Sequence, residues 1–305
     1  MGTSVSDHLT MNKQLIITGD DYGLCTAVND AIEECLAAGA VGATCVMTNM
    51  PSCAQAAGLR GQFPLSSIGL HWNLTQGKPL LTPASVPSLV GEDGRFAGSL
   101  RRRWWARELN FAEMRAELIA QYERFHTLAG KPDFWNTHQN VHVFPGLFQF
   151  FVDLGNELKI PAMRSHERIT LPLRSSVSRY HLRHPAYWFK GQVIRLWSMK
   201  ARAKGMSMPD GRLYLPGYEA GQYAVTSVLG RVNWHDVSTA VELVIHPAKA
   251  LDAALFGSLM ESRLREYEMF REPRLAEKLE RAGVRLVGFD ALYKNGHLAQ
   301  TEKAA

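Results

Sequence analysis

The sequence predicts an α/β fold, a distorted (β/α) barrel of TIM type with mostly parallel strands, on three observations. Short apolar runs alternate with amphipathic stretches in about seven strand–helix units. Strands separated in this way by helices pair in parallel through right-handed crossovers. The 305 residues accommodate a barrel of ~250 residues with insertions. The alternative, an open doubly wound sheet, lacks its glycine-rich GxGxxG fingerprint here.

The elements follow in order. "QLIITGDDYG" opens with leucine and β-branched residues, the mark of a buried strand, and ends on two adjacent carboxylates, Asp20 and Asp21. "TAVNDAIEECLAAG" places Val28, Ile32, Cys35 and Leu36 on one helical face, with Gly39 as the C-terminal cap. "AVGATCVMTNM" is a second strand closed by Pro51, "CAQAAGLRGQF" a helix, and "SSIGLHWNLT" a third strand. "FAEMRAELIAQYERFHTLAG" is a long amphipathic helix ending at Gly130. "DFWNTHQNVHVFP" holds the next strand and "GLFQFFVDLGNELKI" the helix after it. "PAMRSH", "TAVELVIHP" and "VRLVGFDAL" supply the remaining strands.

This organisation reads as one domain over residues 13–293, with a lead-in at 1–12, a tail at 294–305 and insertions near 81–110 and 172–222. Both insertions are basic and aromatic. The middle of the second, Trp188 to Lys204, forms a basic amphipathic helix, for which aromatics packed on the domain are expected ahead of contact with a lipid surface. No fixed-period repeat or low-complexity segment is present.

Composition excludes several classes. An apolar fraction of 46% and a charged fraction of 21% are those of an ordinary globular chain. No run of eighteen apolar residues occurs, and "MGTSVSDHLTMNK" carries no apolar signal core, so a cytoplasmic protein is expected. Cys25, Cys35, Cys45 and Cys53 match no CxxC or zinc-ribbon spacing and read as free thiols in a reducing compartment. A net charge of +5 is too mild to indicate nucleic acid as a partner. The serine elbow GxSxG, the P-loop and HExxH are all missing.

The chemistry gathers at strand ends, where ligands bind in parallel α/β folds. Adjacent carboxylates at the end of a buried strand repel and are costly to desolvate, and a bound cation offsets that cost. The plain alternative is that Asp20 and Asp21 are turn and cap residues. His71, His138, His142, His166 and His246 fall at or just beyond other strand ends. One carboxylate and two imidazoles suit a divalent ion and leave positions open for water and substrate. If Asp21 ligates the ion, Asp20 is free to act as a general base. His142, four residues after His138, shares its side of an extended chain and reads as a supporting or substrate contact. His246 precedes Pro247, which holds it extended and aims its imidazole out of the strand.

Four ordered blocks carry a resemblance. "IITGDDYGLCTAVNDAI", "IGLHWNLTQGKPL", "NTHQNVHVFP" and "AVELVIHPA" resemble the motif blocks of the YdjC-like carbohydrate deacetylases, which include the chitooligosaccharide deacetylase. The C-terminal "SRLREYEMFREPRLAEKLERAGVRLVGF" follows the same pattern, so the likeness runs from about Lys13 to Leu292. It implies hydrolysis of an N-acetyl group on an amino sugar with a divalent metal, Mg²⁺ ahead of Zn²⁺. Carried over by position, Asp20 is the base and Asp21, His71 and His138 are the metal ligands. His246 is the general acid, and Arg164 orients or neutralises the base. Tyr22, Asn73 and Asn136 join His142 as substrate-binding or supporting contacts. Trp72, Trp104, Trp105, Trp188 and Trp234 are candidates for stacking on sugar faces.

The sequence departs from the family where Asn136, Thr137 and Asn140 replace aspartate, serine and histidine. These changes favour one rival, a barrel that binds sugar or regulates without turnover; a second rival is a metal-dependent hydrolase of another bond using the same cleft. The block before "HPAKA" resembles the hopanoid-biosynthesis-associated subgroup, which implies an amphiphilic, lipid-linked substrate. A homodimer is compatible with all of this.

Overall fold

The computed structural model describes residues 13–167, 169, 185–213, 223–256 and 259–294. The expected lead-in, most of the tail and much of the second insertion lie outside the described residues.

The barrel is built around β1 (Lys13–Tyr22), whose side chains are buried from Gln14 onward. Then follow α1 (Thr26–Ala37), β2 (Ala43–Val46), a 3₁₀ turn running into α2 (Leu59–Gln62), and β3 (Ser67–Trp72). Next come α3 (Leu100–Trp105), α4 (Phe111–Ala129), β4 (Trp135–Thr137) and α5 (Leu147–Glu157). Beyond them lie α6 (Pro185–Ala203), β5 (Gly211–Leu213), α7 (Tyr223–Leu229) and β6 (Val241–Ile245). Helices α8 (Ala253–Phe256), α9 (Met260–Phe270) and α10 (Arg274–Arg281) precede β7 (Val284–Leu286).

All pairings between these strands are parallel, in the order β4-β3-β2-β1-β6-β5, with β7 added to the start of β1. The chain is thus a (β/α) barrel-like fold, distorted where β4 and β5 should meet. The expected strand "PAMRSH" is there only as two bridges, Trp135 with Met163 and Ala162 with Ser207. Pro161 has no amide hydrogen to donate, so this segment cannot form a full ladder. The bridges still carry backbone pairing across the gap and deliver Arg164 to the interior.

The helical faces pack as their periodicity requires. Val28, Ile32, Cys35 and Leu36 of α1 are buried, and Gly39, at φ +69, closes the helix with its N–H on the Leu36 carbonyl at 3.0 Å. Asn110 caps α4 through its side-chain oxygen, which accepts from Ala112 N at 2.8 Å. Trp72 and Trp234 are buried core residues, which removes both from the sugar-stacking candidates; Trp105 and Trp188 are exposed. All four cysteines are unpaired thiols.

Candidate metal centre and active site

The two aspartates owe their placement to an irregularity in β1. Residues alternate faces along a regular strand, so Asp20 and Asp21 would point to opposite sides. The register between β1 and β2 slips between Gly19 and Tyr22, and Asp21 takes the left-handed region at φ +71. Such a bulge re-aims side chains at a barrel rim, and here it brings both carboxylates to one cluster. Gly23 completes the turn at φ +96, where a Cβ would stand 2.8 Å from the Met47 carbonyl oxygen.

Asp21 faces the imidazoles. Its Oδ1 lies 3.2 Å from His71 Nε2 and 3.2 Å from His138 Nδ1. Its Oδ2 accepts from Arg263 Nη2 on α9. Burial opposes its ionisation, but His138, His71 and Arg263 hold its carboxyl well below the usual range. The His71 and His138 rings meet edge to face at 5.5 Å.

Asp20 faces a guanidinium. Arg164 donates to Oδ2 from Nη1 at 2.6 Å and to Oδ1 from Nη2 at 2.7 Å, a bidentate buried pair. Burial again opposes ionisation, and Arg164 outweighs it, so the carboxyl lies far below its ordinary value. Arg164 is held from behind by Glu242 of β6, whose carboxylate accepts from Nε at 3.0 and 3.2 Å and from Nη2 at 2.9 Å. Thr18 Oγ1 donates to Glu242 Oε1 at 2.8 Å. His246 ends β6 with Nε2 3.8 Å from Asp20 Oδ2 and its ring 37% exposed. Its backbone N–H donates to Glu266 Oε2 at 2.5 Å.

The donor set fits a divalent cation. His71 Nε2 is buried and has no well-directed hydrogen-bond partner, yet it points at the same oxygen as His138 Nδ1. Three buried carboxylates, Asp20, Asp21 and Glu242, are bonded to two guanidiniums, Arg164 and Arg263, so once His71 is neutral one negative charge remains for a cation to compensate. A second convergence of Asp20, Cys45 and His71 is a poorer site. Burial and the Asp20 charge push the Cys45 thiol up to about 11, so it stays protonated, and Arg164 already occupies Asp20.

Asn136 sits between the two halves. In one amide orientation its Oδ1 accepts from His71 Nδ1 and its Nδ2 donates to Asp20 Oδ1 at 3.4 Å. In the reverse orientation its nitrogen donates to His71 Nδ1 and its oxygen accepts from Arg164 Nη1 at 2.8 Å. Only the first leaves the Nε2 lone pair of His71 free for a cation, because Nδ1 then carries the proton.

Other expected contacts lie elsewhere. β4 stops at Thr137, and Gln139 and Asn140 take left-handed φ of 53° and 54° in the 3₁₀ turn that follows. Asparagine tolerates this region better than most residues, and the turn breaks the extended chain that would have aligned His138 with His142. His142 is instead buried, with Nδ1 2.6 Å from Thr137 Oγ1 and its ring edge-on to Trp135. Burial, then Arg164, holds it down to about 3. The Tyr22 hydroxyl donates to Glu33 Oε1 at 2.6 Å, and Asn73 Oδ1 accepts from the backbone N–H groups of Thr75 and Gln76, so both are engaged in local structure. Glu242, Arg263 and Cys45 were not foreseen. A glutamate within the apolar run "VELVI" was the available signal for the first.

A family model, described as YdjC-like protein, matches residues 14–281. The chain belongs to the YdjC-like family. A chitooligosaccharide deacetylase of Yersinia enterocolitica is 29% identical over 277 residues, covering 90% of this chain and 98% of that protein. A carbohydrate deacetylase of Geobacillus stearothermophilus is 29% identical over 93% of this YdjC-like chain and all of its own length. A crystal structure from Enterococcus faecalis V583, described as a candidate cellobiose-phosphate cleavage protein, aligns with a TM-score of 0.68 at 25% identity, covering 92% of this chain and 99% of that one.

Proposed function

We propose that this protein is a metal-dependent carbohydrate deacetylase that hydrolyses the N-acetyl group of an amino sugar and releases acetate. The single observation that carries the reading is the division of labour across the β1 bulge. Asp21 is left to two imidazoles, and Asp20, its neighbour, is held ionised beside a half-exposed histidine. The names of the two full-length relatives support the substrate class.

Asp21 Oδ1, His71 Nε2 and His138 Nδ1 would hold the divalent cation. When bound, it polarises the acetamide carbonyl and increases the acidity of water. Asp20 accepts the proton of the attacking water. Arg164 keeps that carboxylate ionised and fixes both its oxygens, so the base has one orientation. His246, next to Asp20 and open to solvent, donates a proton to the departing nitrogen, since an unprotonated amide nitrogen is a poor leaving group. Backbone strain at Asp21 and the buried Arg164–Glu242 pair keep the two carboxylates from sharing one role.

The family resemblance favours Mg²⁺, whereas two imidazoles beside one carboxylate oxygen suit Zn²⁺, so the assay includes both ions. Unpaired thiols support a cytoplasmic setting. With asparagine in place of aspartate, Asn136 still bonds His71, so the departure leaves that ligand positioned. Acetate release from N-acetylated chitooligosaccharides, with EDTA and with added Mg²⁺ or Zn²⁺, is the test. Metal-dependent release is expected; none from protein shown to bind metal would overturn the reading.

A further inference from the structure

We propose that the exposed face of α6 is an interfacial anchor that seats the protein on an anionic lipid surface. At 3.6 residues per turn, Trp188, Gln192, Leu196 and Met199 fall on one stripe, with Phe189 at its edge. Trp188 is 53% exposed, Phe189 64%, Leu196 50% and Met199 57%. The opposite side is already used: Ser198 and Ala201 are buried, and Trp197 stacks on Phe148 of α5 at 5.2 Å. The helix is therefore docked by one face and presents a second apolar face to solvent. Single exposed apolar residues are ordinary on a protein surface; four large ones along about three turns of one helix mark an interaction surface.

Charge selects the occupant. Every charged residue of α6 is basic: Lys190, Arg195, Lys200 and Arg202. Arg202 pairs with Glu167 at 2.7 Å, and Lys204, just beyond the helix, pairs with Asp153 at 2.6 Å. Among the described residues, Lys190, Arg195 and Lys200 have no ion-pair partner; Arg195 and Lys200 flank the stripe, and Lys190 lies on the side facing the domain. Aromatic and aliphatic residues between unpaired cations, with no acid, match a layer of acyl chains under anionic headgroups. A second copy of the helix would set cations against cations. No described helix is long and apolar enough to cross a membrane, so the contact is interfacial.

The helix also lies beside the buried His142 and its neighbour His166. Phe148, on which Trp197 stacks, lies against His142, and Lys190 contributes to the depressed basicity of His166 beside it. Seating α6 on lipid would hold this side of the barrel close to the surface.

The test is co-sedimentation of the full chain with vesicles of phosphatidylcholine, alone or mixed with phosphatidylglycerol. Binding is expected to the mixed vesicles, weakening as salt rises. The double substitution Trp188→Ser, Phe189→Ser and the double substitution Arg195→Glu, Lys200→Glu should each lower apparent affinity by about tenfold or more. These residues lie outside the catalytic cluster, so acetate release from a soluble sugar should be unchanged. The proposal is overturned if the natural protein ignores mixed vesicles, binds neutral ones as well, or loses nothing in either variant. It is equally overturned if ultracentrifugation shows a dimer that the Trp188→Ser, Phe189→Ser variant abolishes.

Discussion

Glu242→Gln tests the charge chain behind the proposed base. Glu242 is fully buried and accepts three guanidinium contacts of 2.9 to 3.2 Å from Arg164, as well as the Thr18 hydroxyl. Glutamine preserves the shape, removes the charge and turns one acceptor into a donor facing Arg164 or Thr18. Arg164 is then left buried with Asp20 as its one bonded counter-ion. Removing one partner of a buried pair costs about 3–5 kcal/mol. An exposed pair such as Arg265–Glu261, at 3.1 Å on α9, is worth ~0.2–1 kcal/mol. In urea unfolding with equal metal loading, Glu242→Gln should therefore lose at least ~2 kcal/mol more than Glu261→Gln. Acetate release should fall with it, because Arg164 loses the carboxylate that holds it in place against Asp20. Equal stability of the two variants would refute the argument that Glu242 is the buried anchor of the site.

Other predictions address separate parts of the cluster. Asp20→Asn should abolish acetate release while metal content measured by elemental analysis is retained; turnover in that variant would remove Asp20 as the base. Asp21→Asn should lose metal and activity together, and metal bound at full occupancy would contradict its place among the ligands. Burial lowers His71, but the hydrogen bond to Asp21 and the Asp20 charge work against it and raise it well above its usual value before a cation binds. Cation binding at Nε2 must therefore expel a proton, so affinity should rise with pH; calorimetry in two buffers of different ionisation enthalpy measures the proton, and none released would exclude His71. His142 and His166 are both held below the ordinary histidine value, chiefly by burial. Their folded forms stay neutral while the unfolded chain takes up protons below about pH 6.5. Stability should thus fall as pH drops from that point toward about 3 for His142, by roughly 1.4 kcal/mol per pH unit for each imidazole. Denaturation at several pH values should show a shallower slope for His142→Gln; an unchanged slope would contradict its buried, neutral state.

Much of the fold and part of the site are legible in the chain itself. Alternation of apolar runs with 3.6-residue periodicity specifies which faces are buried, and so predicts parallel strands and covering helices. Asp20, Asp21, His71 and His246 could be singled out because carboxylates and imidazoles at strand ends stand against a local apolar pattern. What the pattern did not carry was direction and partnership. The bulge at Gly19–Tyr22 decides that two neighbouring carboxylates face one cluster, and the left-handed turn at Gln139 and Asn140 sends His142 away from His138. Arg164 reaches Asp20 across 144 residues, Glu242 supports it from another strand, and Arg263 reaches Asp21 across 242. The face of α6 left bare was equally a matter of which side met α5. Periodicity encodes how deeply a residue is buried and what its immediate neighbours require. Hydrogen-bond partners so far apart in sequence are chosen only when the barrel closes and brings their strands side by side.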